Sequence, residues 1–168
     1  MASKILTGYL AGSIRDGIPE DINWREQMIA AMDDLPVRFI NPLGGKNYDP
    51  ETKKWSAAGI PSSARLIVKH DFWSVDHSDF VVFNFRALSQ KYPNIGTLIE
   101  FGRATGAGAI IYSIVDPDYT GHENVTMYHL HPFIEENSAV VFSTTEECIA
   151  FLKRFLPAIT GLNPRYQP

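Results

Sequence analysis

The 168-residue chain is long enough for one sizeable core, and its 45% apolar and 20% charged residues are those of an ordinary soluble globular protein. A formal charge of -4 argues against a nucleic-acid polymer as partner, and no apolar run approaches the roughly eighteen residues of a membrane span. Cys148 is the only cysteine, which excludes an intramolecular disulfide and a cysteine-based zinc site; with no secretory pattern at the N-terminus, a cytoplasmic protein is expected.

Taken in order, residues 4–10 read as a first strand and residues 11–17 as the loop at its carboxyl end, where ligands bind in an open α/β sheet. Gly12, Ser13 and Gly17 permit close backbone approach there, and Ser13 and Arg15 suit an anionic group. The loop matches neither a dinucleotide fingerprint nor a P-loop. Residues 21–35 have helical spacing, with Trp24, Met28, Ala31, Met32 and Leu35 at core positions, and residues 37–40 form a short second strand. Residues 41–61, with prolines, glycines and mixed polar side chains, read as one long loop. In a compact domain such loops tend to be functional, and Asn41, Tyr48 and Trp55 offer hydrogen bonds and a stacking face to a planar ligand.

A helix opening at Ser62 and Ser63 carries Ala64, Val68, Asp71 and Val75 in one row, with Phe72 beside it. Asp71 interrupts that row. Burying it unpaired would be costly, so it either meets local hydrogen bonds or faces a cleft. His70 and His77 flank the helix without a metal-ligand arrangement, and no metal is assigned. Residues 79–85 are the clearest strand, apolar through their centre, and are expected in the middle of the sheet.

After a polar loop over 86–93, residues 94–106 run from a turn into a helix, with Thr97 as a candidate cap. Ile95, Ile99, Gly102 and Gly106 share one face, where the glycines would allow close packing against a neighbouring element. Glu100 lies off that face. Placed in a first helical turn, it would be held ionised by the helix dipole, which suits a nucleophile; the plain alternative is a solvated glutamate. The helix returns the chain to an apolar strand over 109–114, completing a βαβ crossover. A second long loop spans 116–133, where His129 and His131 are more often structural than catalytic residues. A short strand over 139–142 and a helix with an S/T-x-x-E start at 143–147 follow, the latter with Ile149, Leu152, Phe155 and Leu156 at core spacing. The whole predicts an α/β fold. It is a single doubly wound domain over 1–160, flavodoxin- or Rossmann-like, with a mostly parallel sheet of about five strands flanked by helices, and a tail at 161–168.

Tyr9–Leu10–Ala11–Gly12–Ser13, the Asp71 helix with its Ser78–Asp79 strand entry, and Gly96–Thr97–x–x–Glu100–x–Gly102–x–Ala104, in this order and spacing, resemble the nucleoside 2-deoxyribosyltransferase family and its deoxynucleoside 5′-monophosphate N-glycosidase relatives. The resemblance covers most of the chain. It implies Glu100 as the nucleophile, Asp71 as the group that contacts and helps protonate the departing base, and Tyr9 as the residue that positions Glu100. Gly12, Ser13, Arg15, Asn41, Asn94 and Gly96 are then expected around the substrate. Asn124 and Met127 are expected to complete the pocket of a neighbouring subunit in a homodimer or higher homo-oligomer.

The chemistry fits these residue types. Cleaving an N-glycosidic bond through an oxocarbenium-like transition state needs a carboxylate below the anomeric carbon and a proton source near the leaving base. Attack by Glu100 on C1′ would give a covalent deoxyribosyl enzyme, and a second base or water would then take the sugar with net retention. The expected partners are a deoxynucleoside and a free nucleobase, with no metal or organic cofactor. Position 94 departs from the pattern. Transferases resemble one another in carrying an aspartate there, near the sugar 5′-hydroxyl, whereas the nucleotide hydrolases tend to have a serine that binds phosphate. Asn94 lacks the charge that would repel phosphate, so hydrolysis of deoxynucleoside 5′-monophosphates stays open beside the favoured transferase reading. A non-catalytic nucleotide sensor is the reading from another class, and it should keep its output in Glu100→Ala.

Overall fold

The computed structural model describes residues 5–14, 20–44, 46–49, 51, 54–57, 60–61, 64–86, 94–115 and 132–159. In chain order the elements are β1 (Leu6–Gly12), α1 (Glu20–Ala31), β2 (Val37–Ile40), β3 (Lys46–Asp49), β4 (Lys54–Ala57), β5 (Ile60–Pro61) and α2 (Ala64–Asp76). They continue with β6 (Phe80–Asn84), α3 (Ile95–Ala107), β7 (Ile110–Ile114), α4 (Pro132–Asn137), β8 (Val140–Phe142) and α5 (Thr145–Ile159). Five strands form one parallel sheet in the order β2-β1-β6-β7-β8, the doubly wound α/β fold expected from the sequence. β6 is its middle strand and is buried along its whole length. No helix among the described residues is long and apolar enough to cross a membrane.

Strand alternation divides the core into two layers. Leu6, Leu10, Phe80, Val82, Tyr112 and Ile114 face α1 and α5, where they meet Trp24, Met28, Met32, Cys148, Leu152 and Leu156. Tyr9, Ala11, Val81, Phe83 and Ile111 face the other way, toward Val75 of α2, Phe101 and Ala104 of α3 and Ile134 of α4. The same alternation therefore sends the Tyr9 side chain toward α3. Gly8 pairs with Phe80 across β1 and β6, and a Cβ at Gly8 would lie 2.5 Å from the Phe80 ring. Only glycine lets that ring lie against the strand. Asp79 fixes the same register, its carboxylate accepting from the Thr7 amide at 2.9 Å.

Three expectations need correction. Residues 41–61 are not one irregular loop, because β3, β4 and β5 build a separate three-stranded antiparallel sheet. These strands are only two to four residues long, too short for any alternation to stand out in the sequence. The face of α3 with Ile95, Ile99, Gly102 and Gly106 is turned outward: Ile95 is 61% exposed, and no heavy atom lies within 4 Å of where a Cβ would sit on either glycine. The face that packs is Thr97, Phe101 and Ala104. Thr97 is accordingly buried inside the helix, and the N-cap position belongs to Asn94, whose carbonyl accepts the first helical bond from the Leu98 amide at 2.9 Å. Gly108, at φ 72°, ends α3 in the left-handed conformation that favours glycine.

Candidate active site

Tyr9 stands in the middle of β1, fully buried, and its hydroxyl donates to Glu100 Oε1 of α3 at 2.7 Å. Burial, helped by the Glu100 and Asp71 charges, lifts the phenol far above its ordinary range, so Tyr9 keeps its proton and acts as a donor. Burial also pushes the Glu100 carboxyl up from 4.5 to about 7; the Tyr9 bond and the Arg25 and Lys46 charges pull it down, and Asp71 pushes it up. This overturns the expectation of a carboxylate held ionised by the helix dipole. α3 begins at Ile95, which puts Glu100 in the second turn, and dipole effects fade beyond the first.

Asp71, on α2, bears on the same group through its charge. Its Oδ1 accepts from Lys46 Nζ at 3.1 Å and lies 3.1 Å from His70 Nδ1. The Lys46 and Asp71 side chains are only 9% and 17% exposed, and an ion pair that deep must be closely matched to be tolerated. Lys46 is the first residue of β3. It is set by a tight turn after β2, in which the Lys46 amide donates to the Leu43 carbonyl at 3.0 Å. Reading residues 41–61 as a loop hid this lysine, and only the small sheet delivers it to Asp71. Lower down, Arg103 of α3 clasps Asp76 of α2 with both ends of its guanidinium and lies over the Phe72 ring, tying the two helices that carry Glu100 and Asp71.

A second residue missed in the sequence is Arg25. It is fully buried, its Nε donating to the Leu10 carbonyl at 3.1 Å, Nη1 to Ser13 at 3.2 Å and Nη2 to Gly12 at 2.8 Å. The carbonyls at the carboxyl end of β1 are thus gathered on one guanidinium, which shapes the start of the glycine loop. Polar neighbours on α1 gave no hint that this arginine points inward.

The remaining expected site residues divide. Ser13 is buried, and Gly12 lies close to β6, where a Cβ would sit 3.1 Å from the Asn84 carbonyl. Asn41 spends its side chain on a local turn, Oδ1 accepting from the Leu43 amide at 3.0 Å. The Asn94 side chain makes no cap bond, and its buried Nδ2 has no hydrogen-bond partner among the described residues. A buried donor without an acceptor is costly, which marks Asn94 as a point where a ligand oxygen would fit. Gly96 is exposed with open space around it. Arg15, Asn124 and Met127 lie outside the described residues, as do His129, His131 and the stretch 161–168; the side chains of Tyr48 and Trp55 lie outside them too. Cys148 belongs to the opposite core layer, where burial pushes its thiol up to about 12, far from a nucleophile.

A parallel sheet ordered in this way is shared with solved proteins: the chain has the fold of the nucleoside 2-deoxyribosyltransferases and their related N-glycosidases. A 2-deoxyribosyltransferase from Leishmania mexicana superposes with a TM-score of 0.60 at 17% identity, covering 89% of this chain and 98% of that one. The 2-deoxyribosyltransferase of Bacillus psychrosaccharolyticus gives 0.58 at 14% identity over 85% and 90% of the two chains. The CMP N-glycosidase BcmB of Clostridium botulinum gives 0.55 at 16% identity over 89% and 99%. No family model matches the sequence, and no curated protein is similar to it by sequence.

Proposed function

We propose that this protein is a nucleoside 2-deoxyribosyltransferase that cleaves the N-glycosidic bond of a 2′-deoxynucleoside through a covalent deoxyribosyl–Glu100 intermediate and passes the sugar to a second base. The observation that carries this reading is the 2.7 Å contact between the Tyr9 hydroxyl and Glu100 Oε1, in a buried group that also includes Asp71. Tyr9 holds one carboxylate oxygen and leaves the other to attack C1′. Asp71, on the neighbouring helix, is taken as the carboxylate nearest the leaving base. Retention follows from two displacements at C1′, first by Glu100 and then by the acceptor.

Gly12, Ser13 and Arg15 are proposed to line the sugar and its 5′ substituent, together with Asn94 and Gly96. In the same reading a neighbouring copy supplies Asn124 and Met127. Exposed apolar side chains on α2 and α3, Leu66, Trp73, Ile95, Leu98 and Ile99, support a second copy docking on that side. Light scattering on the purified protein tests the oligomer: a monomer at assay concentration would remove the shared pocket.

A second reading, hydrolysis of deoxynucleoside 5′-monophosphates, is favoured by one observation. The Asn94 Nδ2 donor is buried and unpartnered among the described residues, and it carries no charge to repel phosphate. Chromatographic assay of deoxyadenosine and deoxycytidine, with and without a free acceptor base and beside their 5′-monophosphates, separates the two. A new deoxynucleoside formed only with acceptor is the result expected. Free base released faster from the monophosphates, with no exchange, would replace the transferase reading with the hydrolase. Turnover that survives Glu100→Ala would overturn both.

A further inference from the structure

Lys46 has no place in the chemistry described so far, yet it is a deeply held cation in direct contact with Asp71. Its side chain is 9% exposed, and its Nζ lies 3.1 Å from Asp71 Oδ1. The hydrogens of that contact all sit on Nζ, because in the ion pair Asp71 is the acceptor. The same Oδ1 is 3.1 Å from His70 Nδ1, on the outer side, where the His70 side chain is 49% exposed. Oδ1 is therefore contacted from two directions, which leaves Oδ2 toward a base, and in the ion pair with Lys46 that oxygen is an acceptor. A departing base needs the opposite. When the glycosidic bond breaks, its electron pair stays on the base, and the group that meets the base must carry positive charge or give up a proton.

We propose that Lys46 is the catalytic acid that serves the leaving base, and that Asp71 positions it. The inference rests on the N-glycosidic reading above and reassigns the proton within it. In the first half-reaction the C1′–N bond breaks with its electron pair left on the base, a Glu100 oxygen forms the bond to C1′, and a proton passes from Nζ to the base. Lys46 is left as a neutral amine beside Asp71. In the second, an incoming base nitrogen, or water, attacks C1′ and displaces Glu100, and the proton it sheds returns to Nζ. The balance closes without a metal or a further reactant. Lys46 also bears on Glu100 itself, since its charge helps to draw the Glu100 carboxyl down against the effect of burial. A lysine that only packed β3 against α2 would not need its ammonium on Asp71 and its charge felt at Glu100.

The test compares bases that need a proton on departure with bases that do not. Rates of Glu100-dependent cleavage are measured for deoxyuridine against its 5-fluoro analogue, and for deoxyguanosine against its N7-methylated form, which leaves as a neutral base. Wild type, Lys46→Met and the double variant Lys46→Met/Asp71→Asn are compared, the double removing the aspartate charge that the single change leaves buried. Melting temperatures are recorded for each. A catalytic acid predicts a loss of about 10²–10⁴-fold on the ordinary base. On the activated base of the same class the loss should be under about tenfold. The double variant should show the same split. Equal losses on both bases, or no loss on either, would overturn the proposal and leave Lys46 a structural partner of Asp71. Absence of any Glu100-dependent cleavage by the wild type is a separate result, visible before the variants are assayed; it removes the N-glycosidic reading and this inference with it.

Discussion

Replacing Tyr9 with phenylalanine removes one hydroxyl and keeps the ring that packs against Val81, Phe83 and α3. The Tyr9–Glu100 bond, at 2.7 Å, is donated to a carboxylate, and its effect is to lower a Glu100 carboxyl that burial has pushed up to about 7. A hydrogen bond to a charged group is worth about 1.5–3 kcal/mol, and each pH unit about 1.4 kcal/mol. In Tyr9→Phe the Glu100 carboxyl should therefore titrate roughly one to two pH units higher. As nucleophile, Glu100 must be ionised. The rising acid limb of kcat/KM should thus sit near 7 in the wild type and move to roughly 8–9 in Tyr9→Phe. The loss at neutral pH would be recovered in part at alkaline pH. Full pH profiles of both proteins on the same nucleoside measure this directly. A limb that stays in place while the plateau falls would mean that Tyr9 only orients Glu100, and a limb that moves down would refute the electrostatic argument.

Other consequences follow from the same geometry. Because the Glu100 carboxyl rises from 4.5 to about 7 on folding, it contributes stability that is complete below about 4.5 and is lost as pH climbs to about 7, on the order of 3 kcal/mol. Glu100→Gln, which still accepts from Tyr9, should be inactive yet melt several degrees above the wild type at alkaline pH and near it in acid; equal melting temperatures at every pH would contradict this. Arg25→Met strips the donors from the Leu10, Gly12 and Ser13 carbonyls and should cost roughly 3–5 kcal/mol by chemical denaturation, while raising the acid limb, since Arg25 also draws Glu100 down. Gly8→Ala should destabilise by roughly 1–3 kcal/mol through collision with Phe80, and Phe80→Leu should recover part of that loss; an additive double variant would point elsewhere.

The parallel sheet was legible because its strands are buried on both faces and read as apolar runs, most plainly at Phe80–Asn84. The capped start of α5 was legible because its signal is local: the Glu147 amide donates to Thr144 Oγ1 at 3.1 Å, and Glu147 Oε2 accepts from the Ser143 amide at 2.9 Å. Tyr9, Glu100 and Asp71 could be named from the resemblance, but their electrostatics could not, because burial is a property of the packed fold. The helical spacing of Ile95, Ile99, Gly102 and Gly106 was real and led to the wrong face, since periodicity identifies a stripe without saying what covers it. Lys46 and Arg25 were invisible for a related reason. A lysine after a glycine pair and an arginine among polar helix residues look solvated until a tertiary contact turns them inward.

In the proposed reaction Glu100 takes the sugar. The most direct test is mass analysis of protein quenched in the course of turnover with a deoxynucleoside and no acceptor base, followed by digestion to locate the added group. One deoxyribosyl unit is expected on the peptide that contains Glu100, discharged when a free base is added and never formed by Glu100→Ala. Turnover with an adduct on another residue, or catalysis that persists in Glu100→Ala, would contradict it.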